Sequence, residues 1–263
     1  MFLLWIMNPM KAPGIILLFL PIAYLSLKIG SFYVQKHQRD NSLKTITSGT
    51  ALLNHTIKNE LAKIDILMNQ LKDLTPLNDA AAENIDLALN STHHVLELSS
   101  RIQGQLDVIN LKETEFLLRD CIDSAIRLLQ PYLQLKICKQ YEVNVKIRGD
   151  SLHLQESFQN ILKNAMEATD RNGKITIKIY KTRRKVFIEI EDNGKGMKKK
   201  ELLHVFNPFY STKETKSNYG LGLTYCYKVL QKHNGAIAIT SKVNQGTTCT
   251  LSLPSKRITE VLY

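Results

Sequence analysis

Hydrophobic spacing along the chain switches between two regimes. From 43 to 74 the apolar residues Leu53, Ile57, Leu61, Ile64, Leu67, Leu71 and Leu74 recur every three or four positions, the period of one helix face. Thr75-Pro76 interrupts the pattern, since proline lacks an N–H and clashes with the preceding turn. It resumes over 78–109 with Ile85, Leu89, Val95 or Leu96, Ile102, Leu106 and Ile109. Two long helices and a short turn predict a hairpin, and because a lone hairpin cannot bury its whole stripe, two copies are expected to close a four-helix bundle. A further helix is predicted over 152–169 from Leu154, Phe158, Ile161, Leu162 and Ala165. Strand-like runs follow at 174–180, 185–192, 236–241 and 246–254, with a helix at 221–233.

Residues 12–27 carry no charge, and 29–34 extend the apolar run past Lys28. That length predicts one transmembrane helix. Lys28 would snorkel, Tyr24 and Tyr33 would sit near the headgroups, and a bilayer helix tolerates Pro21. Lys28, Lys36, Arg39 and Lys44 follow the run and only Lys11 precedes it. The positive-inside rule then predicts a single-pass protein of the cell membrane with its catalytic part in the cytoplasm. No small-residue cleavage site follows the run as a signal peptide would require.

Charge changes the picture in one respect. The 263 residues have a net charge of +11, which invites a nucleic-acid partner. Residues 113–263 hold 25 basic and 15 acidic residues, so nearly the whole excess lies in the second half. No helix-turn-helix or zinc module accompanies it, and no nucleic-acid partner is expected. Cys121, Cys138, Cys226 and Cys249 share no metal-ligand spacing and read as reduced thiols.

Candidate chemistry lies on these elements. His55, between the seam positions Leu53 and Ile57, is expected to face solvent on the first helix, where an imidazole can accept a phosphoryl group. Glu156, Asn160 and Asn164 fall at i, i+4 and i+8 and form an oxygen-rich strip suited to magnesium. The 185–192 run ends in Asp192, with Gly194 and Gly196 just beyond. A carboxylate there can accept from an exocyclic amine, and glycines let the backbone approach a flat ring. FNPFYSTK (206–213) is an aromatic loop ending in Lys213, and NYGLGLTYC (218–226) is a glycine-rich helix start that suits phosphate.

Asn164 to Asp192 and Asp192 to Gly220 are both 28 residues. Four boxes in this order resemble the catalytic domain of the Bergerat-fold (GHKL) ATPases, specifically sensor histidine kinases, over about 40–255. The resemblance implies ATP and magnesium as cofactors. Asn160 and Asn164 match the N box, Asn164 being the metal ligand. Asp192, Gly194 and Gly196 match the G1 box, where the Asp recognises adenine. Phe206 and Phe209 match the F box, Lys213 the lid lysine, and Gly220 and Gly222 the G2 box under the triphosphate. HTIKNEL is similar to the H box, which makes His55 the phosphoacceptor. Asn59 resembles the residue that orients hydrolytic water in phosphatase-active members. Thr56 stands where an acidic residue is usual, Glu60 where Pro is, and Asn218 where the first G2 glycine is.

The chain is thus expected to be α+β: a membrane anchor and linker (1–40), a dimerisation and phosphotransfer hairpin (41–111), an ATP-binding two-layer α/β sandwich of the Bergerat fold (112–257) and a tail (258–263). The resemblance implies a homodimeric histidine kinase that phosphorylates His55, with Glu156 polarising the nucleophile, and passes the phosphoryl group to an aspartate of a response regulator. A non-catalytic scaffold dimer of the same fold is the main alternative. Gyrase-like ATPases place a transducer domain after the ATPase, whereas nine residues follow Pro254 here. Anti-sigma-type serine/threonine kinases normally lack the upstream hairpin.

Overall fold

The computed structural model describes residues 53–72, 79–133, 135–171, 173–212 and 219–262, together with Tyr24, Ser26, Gly30, Asn41 and Thr50. The chain divides into Met1–Gly49 and Thr50–Tyr263, and every element below belongs to the second unit.

The membrane expectation is corrected. Among the described residues no helix is long and apolar enough to cross a membrane. The long helices present, 53–72 and Asp79–Leu106, carry charged residues such as Lys58, Lys63, Asp86 and Glu97, which a bilayer core would leave without water. Most of 12–34, where the span was expected, lies outside the described residues. The transmembrane helix, the membrane partner and the single-pass location are therefore not carried forward.

Helix α1 (53–72) and helix α2 (Asp79–Leu106) form the expected hairpin, but with a different face inward. Polar groups cross between the helices: Asn54 Nδ2 donates to Ser99 O at 3.3 Å and Ser99 Oγ to Asn54 Oδ1 at 3.1 Å, both buried. Lys58 Nζ reaches Gln103 Oε1 at 3.0 Å, and Lys72 Nζ reaches Asp86 at 2.7 Å. The α1 part of the stripe read from the sequence lies outward, with Leu53 and Leu67 more than 60% exposed and Ile57, Ile64 and Leu71 also in water, whereas Ile85 of the α2 part is buried.

Beyond the hairpin come β1 (Thr114–Leu117), α3 (Leu118–Leu129), β2 (Lys136–Tyr141), β3 (Asn144–Gly149) and α4 (Ser151–Ala168). They are followed by β4 (Lys174–Lys181), β5 (Lys185–Asp192), α5 (Lys199–Leu202), α6 (Gly222–Lys232), β6 (Ala236–Lys242), β7 (Gly246–Pro254) and β8 (Ile258–Leu262). The main sheet runs β2-β4-β5-β7-β6, with only β2–β4 parallel. A smaller antiparallel sheet runs β1-β3-β8. Ile258–Leu262, read as part of a tail, is instead a strand on β3, because Ile258 and Val261 pack on the core.

Alternation puts Ile175, Ile177 and Ile179 of β4, Val186, Ile188 and Ile190 of β5, and Leu251 and Leu253 of β7 into the core. Against it lies α4, with Leu154, Phe158, Ile161, Leu162 and Ala165 buried and with α3 and α6 packed on either side. This is the two-layer α+β sandwich.

A polar hub starts α4. Asp150 Oδ1 accepts from His153 N–H at 3.1 Å and Oδ2 from Lys112 N–H at 2.7 Å, a side-chain N-cap. The Asp150 N–H donates to buried His233 Nε2 at 2.9 Å, so His233 Nδ1 carries the proton and donates to Val229 O at 2.8 Å. Arg257 closes the hub on His233 O, Glu113 and Arg148 O.

Burial holds the His233 imidazole below its ordinary 6.5, with Arg257 acting in the same direction and Val229 O, Asp150 and Glu113 opposing. A folded value below the unfolded one means that stability is intact above 6.5 and lost as pH falls below it. Arg257 holds Glu113 below its ordinary 4.5. Burial works to raise Asp150, but backbone donors from Lys112 and His153 outweigh it and hold it below 3.8. These two carboxylates therefore act at lower pH. Thermal melts are expected to lose Tm between about pH 7 and pH 5, with a flatter dependence in His233→Gln.

Candidate functional site

Segments far apart in sequence converge on one cavity of about 570 Å³. Helix α4 contributes Asn160, Lys163 and Asn164; the end of β5 and the loop after it contribute Asp192, Lys195, Gly196 and Met197; β7 contributes Thr247 and Cys249. The loop entering α6 adds Gly220 and Gly222. The hairpin supplies a further wall through Ile102 and Gln105. Its end is tied to α6 by Lys228 Nζ, which donates to Asp107 O at 2.8 Å and Gln105 O at 3.4 Å.

The α4 positions follow from its buried stripe. With Phe158, Ile161 and Leu162 in the core, helical spacing brings Asn160 and Asn164 together on the adjoining, cavity-facing flank. Asn160 Nδ2 is buried and finds no hydrogen-bond partner among the described residues. A native structure rarely leaves such a donor unpaired without a ligand or water in view.

Asp192 ends β5 in register with Thr247 of β7 and is only 5% exposed. Burial raises its carboxyl above the ordinary range, opposed by N–H donors from Gly194, at 2.9 Å to Oδ1, and Thr247. Ile190, Met197, Ile239 and Val243 line the same cavity. A carboxylate beside apolar walls can accept from the amine of a flat heterocycle.

Two glycines shape the rim. Gly220 has φ +66° and Gly196 φ +63°, and a Cβ would collide with Tyr210 O at the first and Lys242 O at the second. Only glycine takes this backbone without strain. Gly220 leads directly into α6 at Gly222, a helix start whose backbone N–H groups suit an anion.

Other predicted residues lie elsewhere. Gly194 serves Asp192 through its N–H. Phe206 is buried against Tyr227 and accepts from Thr224 Oγ1 through its carbonyl, whereas Phe209 is half-exposed with φ 62°. Lys213 lies outside the described residues. His55 is exposed on α1, with Asn59 Nδ2 at 3.3 Å from its Nδ1. It sits one turn before Lys58, which bonds Gln103, so His55 and the cavity share the same end of the hairpin.

Glu156 is not among the described cavity-lining residues; its carboxylate Oε2 accepts from Tyr225 Oη at 2.6 Å. Ile102 and Gln105 were not read as site residues, because nothing in their spacing separates a pocket wall from a hairpin seam. Lys163, Lys195 and Lys198 also line the cavity, and the basic excess of the second half was their signal.

Comparison with known proteins agrees with this geometry. Residues 149–257 match the family model described as "Histidine kinase-, DNA gyrase B-, and HSP90-like ATPase". Sporulation kinase C of Bacillus subtilis (strain 168) is 31% identical over 232 residues, covering 83% of this chain and 51% of that protein. The chain thus spans about half the length of that relative. The fold is shared with full-length ShkA solved in complex with AMPPNP (TM-score 0.60, 18% identity, 79% of this chain and 45% of that one). It is also shared with the histidine kinase ThkA in complex with the response regulator TrrA (TM-score 0.55, 22% identity, 84% of this chain and 65% of that one). The chain carries a Bergerat-fold ATPase domain that resembles the catalytic domains of sensor histidine kinases. Such a domain implies a capacity for ATP with magnesium.

The residues present fit a magnesium nucleotide. The orphan Asn160 amide, the glycine cradle and the oxygen donors of α4 suit phosphates and a hard cation. Asp192→Ala is expected to weaken Mg-ATP binding at least tenfold by removing a buried acceptor, measured by titration with a fluorescent ATP analogue.

Proposed function

We propose that this chain is a homodimeric histidine kinase, in which ATP held in the cavity phosphorylates His55 and the phosphoryl group then passes to an aspartate of a response regulator. The observation that carries the reading is the cavity itself. Asn160, Asn164, Asp192, Gly220 and Gly222 converge on it, at the end of the hairpin that bears an exposed histidine.

Asp192 selects the base through its amine, and Gly220, Gly222 and the α6 N-terminus hold the phosphates. Asn164 is the residue that would hold magnesium, which when bound offsets triphosphate charge. Lys163, Lys195 and Lys198 add positive charge at the cavity, and Lys213 would add more from the lid. In the transfer a ring nitrogen of His55 attacks the γ-phosphorus in line. An N–P bond forms, the bond to the bridging oxygen breaks, ADP leaves, and the ring gives up its proton. As placed, Asn59 Nδ2 donates to Nδ1 and the neutral ring carries its proton on Nε2; an amide turned over, its Oδ1 accepting from Nδ1–H, would free the Nε2 lone pair for this attack. Asn59 would also orient water in any dephosphorylation of the regulator. ThkA, solved with its regulator, supports the receiver as partner.

The outward stripe on α1 supports a dimer. Leu53, Ile57, Ile64, Leu67 and Leu71 form a contiguous apolar row exposed in one copy. A second hairpin would bury it in a four-helix bundle.

With radiolabelled ATP, the full chain is expected to label at a histidine, acid-labile and alkali-stable, and His55→Gln to reduce labelling to background. Equal labelling in the variant rules out His55 as acceptor. Absence of any Mg-ATP binding by wild type instead favours the scaffold alternative. Leu67→Glu is expected to shift the protein from dimer to monomer by sedimentation, since it places a charge in the proposed seam.

A further inference from the structure

A buried network of polar side chains joins the two helices that carry the phosphate end of the cavity, beside a weaker thiol bond from Cys226 Sγ to Ser157 O at 3.4 Å. Tyr225 on α6 is 2% exposed, and its Oη donates to Glu156 Oε2 on α4 at 2.6 Å. His153 Nδ1 lies 2.7 Å from the same Oη. A phenol has one proton. Given to the carboxylate, it leaves only lone pairs for His153, which must therefore carry its proton on Nδ1 and donate. Burial, reinforced by the Glu156 carboxylate, pushes the phenol far above its ordinary range, so Tyr225 stays a donor.

The position of this bridge gives it a consequence. Glu156 stands one turn before Asn160, and Tyr225 three residues after Gly222. Asn160 and Gly222 are themselves close, since a Cβ on Gly222 would stand 3.3 Å from Asn160 Oδ1. At that crossing Gly222 offers no side chain to set the gap, and the Asn160 amide nitrogen is unpaired. Among the described residues the strong polar link between α4 and α6 next to the cradle is Glu156–Tyr225, the Cys226 Sγ bond to Ser157 O being the weak one.

We propose that Glu156 is a positioning residue, which through Tyr225 sets the spacing between the α4 amides and the glycine turn that grip the triphosphate. The proposal rests on the nucleotide reading above and gives Glu156 a role distinct from polarising the nucleophile. A bidentate grip fails when its halves move apart by about an ångström. Losing the strut should thus weaken nucleotide binding more than it slows chemistry.

The test uses the full chain, with Mg-ATP affinity from a fluorescent analogue, the KM and kcat of autophosphorylation, and Tm. Tyr225→Phe and Glu156→Ala are each expected to weaken Mg-ATP binding and raise KM about tenfold, with a smaller change in kcat. Glu156→Gln keeps an acceptor oxygen for Tyr225 and is expected to recover most of that loss. The double variant Tyr225→Phe/Glu156→Ala should lose no more than either single one, because both remove the same link.

Glu156→Gln as impaired in kcat as Glu156→Ala, with binding unmoved, would make Glu156 a base and overturn the proposal. A lowered Tm with Mg-ATP affinity intact would reduce the bridge to packing and overturn it equally. If Tyr225→Phe does not fold, the comparison of Gln with Ala at 156 still decides. A wild-type chain that binds no Mg-ATP overturns the nucleotide reading itself, an outcome separate from equal binding by wild type and variants.

Discussion

Burial of one stripe of α4 is the constraint on which the rest depends. Leu154, Phe158, Ile161, Leu162 and Ala165 are at most 5% exposed against the sheet and its flanking helices. Burying each of the larger side chains contributes roughly 1.5–3 kcal/mol. A one-residue slip in helix phase would rotate the stripe by about 100° and drive polar groups into the core. The apolar residues thus aim Asn160 and Asn164 at the cavity, and Ile161 and Ala165 add apolar lining to it.

The sheet imposes a matching constraint on Asp192. Strand β5 is central, paired with β4 and β7 on its two sides, so a carboxylate at its end is buried in low dielectric. Isolated, such a group would be costly. Donors from Gly194 and Thr247 accompany it, and their directions fix the carboxylate for an amine approaching from the apolar slot. The hairpin completes the enclosure with Ile102 and Gln105, and Lys228 ties α6 to the carbonyls at the end of α2. Burial lowers the Lys228 pKa from its ordinary value, while the two backbone acceptors compensate for water lost at the ammonium. The hairpin and the ATPase sandwich therefore share a wall and do not merely adjoin along the chain.

Within the hairpin, polar and apolar surfaces divide the work. Paired groups such as Asn54 with Ser99 are buried between α1 and α2, and a buried pair of this kind rejects misaligned registers that leave it unsatisfied. The regular leucine and isoleucine row faces outward. An apolar row of that length is the surface expected to meet another apolar surface, which is why the dimer belongs to the proposed function.

Helix α4, strands β4 to β7, helix α6 and the hairpin were legible because their periods, 3.6 and 2, are local consequences of backbone geometry. Asn164, Asp192 and Gly220 were legible too, because each pairs a residue type with an element end or face. The stretch 113–149 and the strand Ile258–Leu262 were not, since short strands are defined by partners remote in sequence. The inward face of the hairpin was equally hidden, because Asn54 and Ser99, 45 positions apart, gain their meaning only when the fold brings them together. Local hydrophobicity alone predicted a span over 12–34, most of which lies outside the described residues, and among the described helices none is long and apolar enough to cross a membrane. What the amino-acid order determined by itself is therefore the elements and the chemical alphabet of the site. The tertiary structure decided which of those residues share a cavity. It made Glu156 the partner of Tyr225, because hydrogen-bond partners are set by packing in three dimensions and not by spacing along one helix.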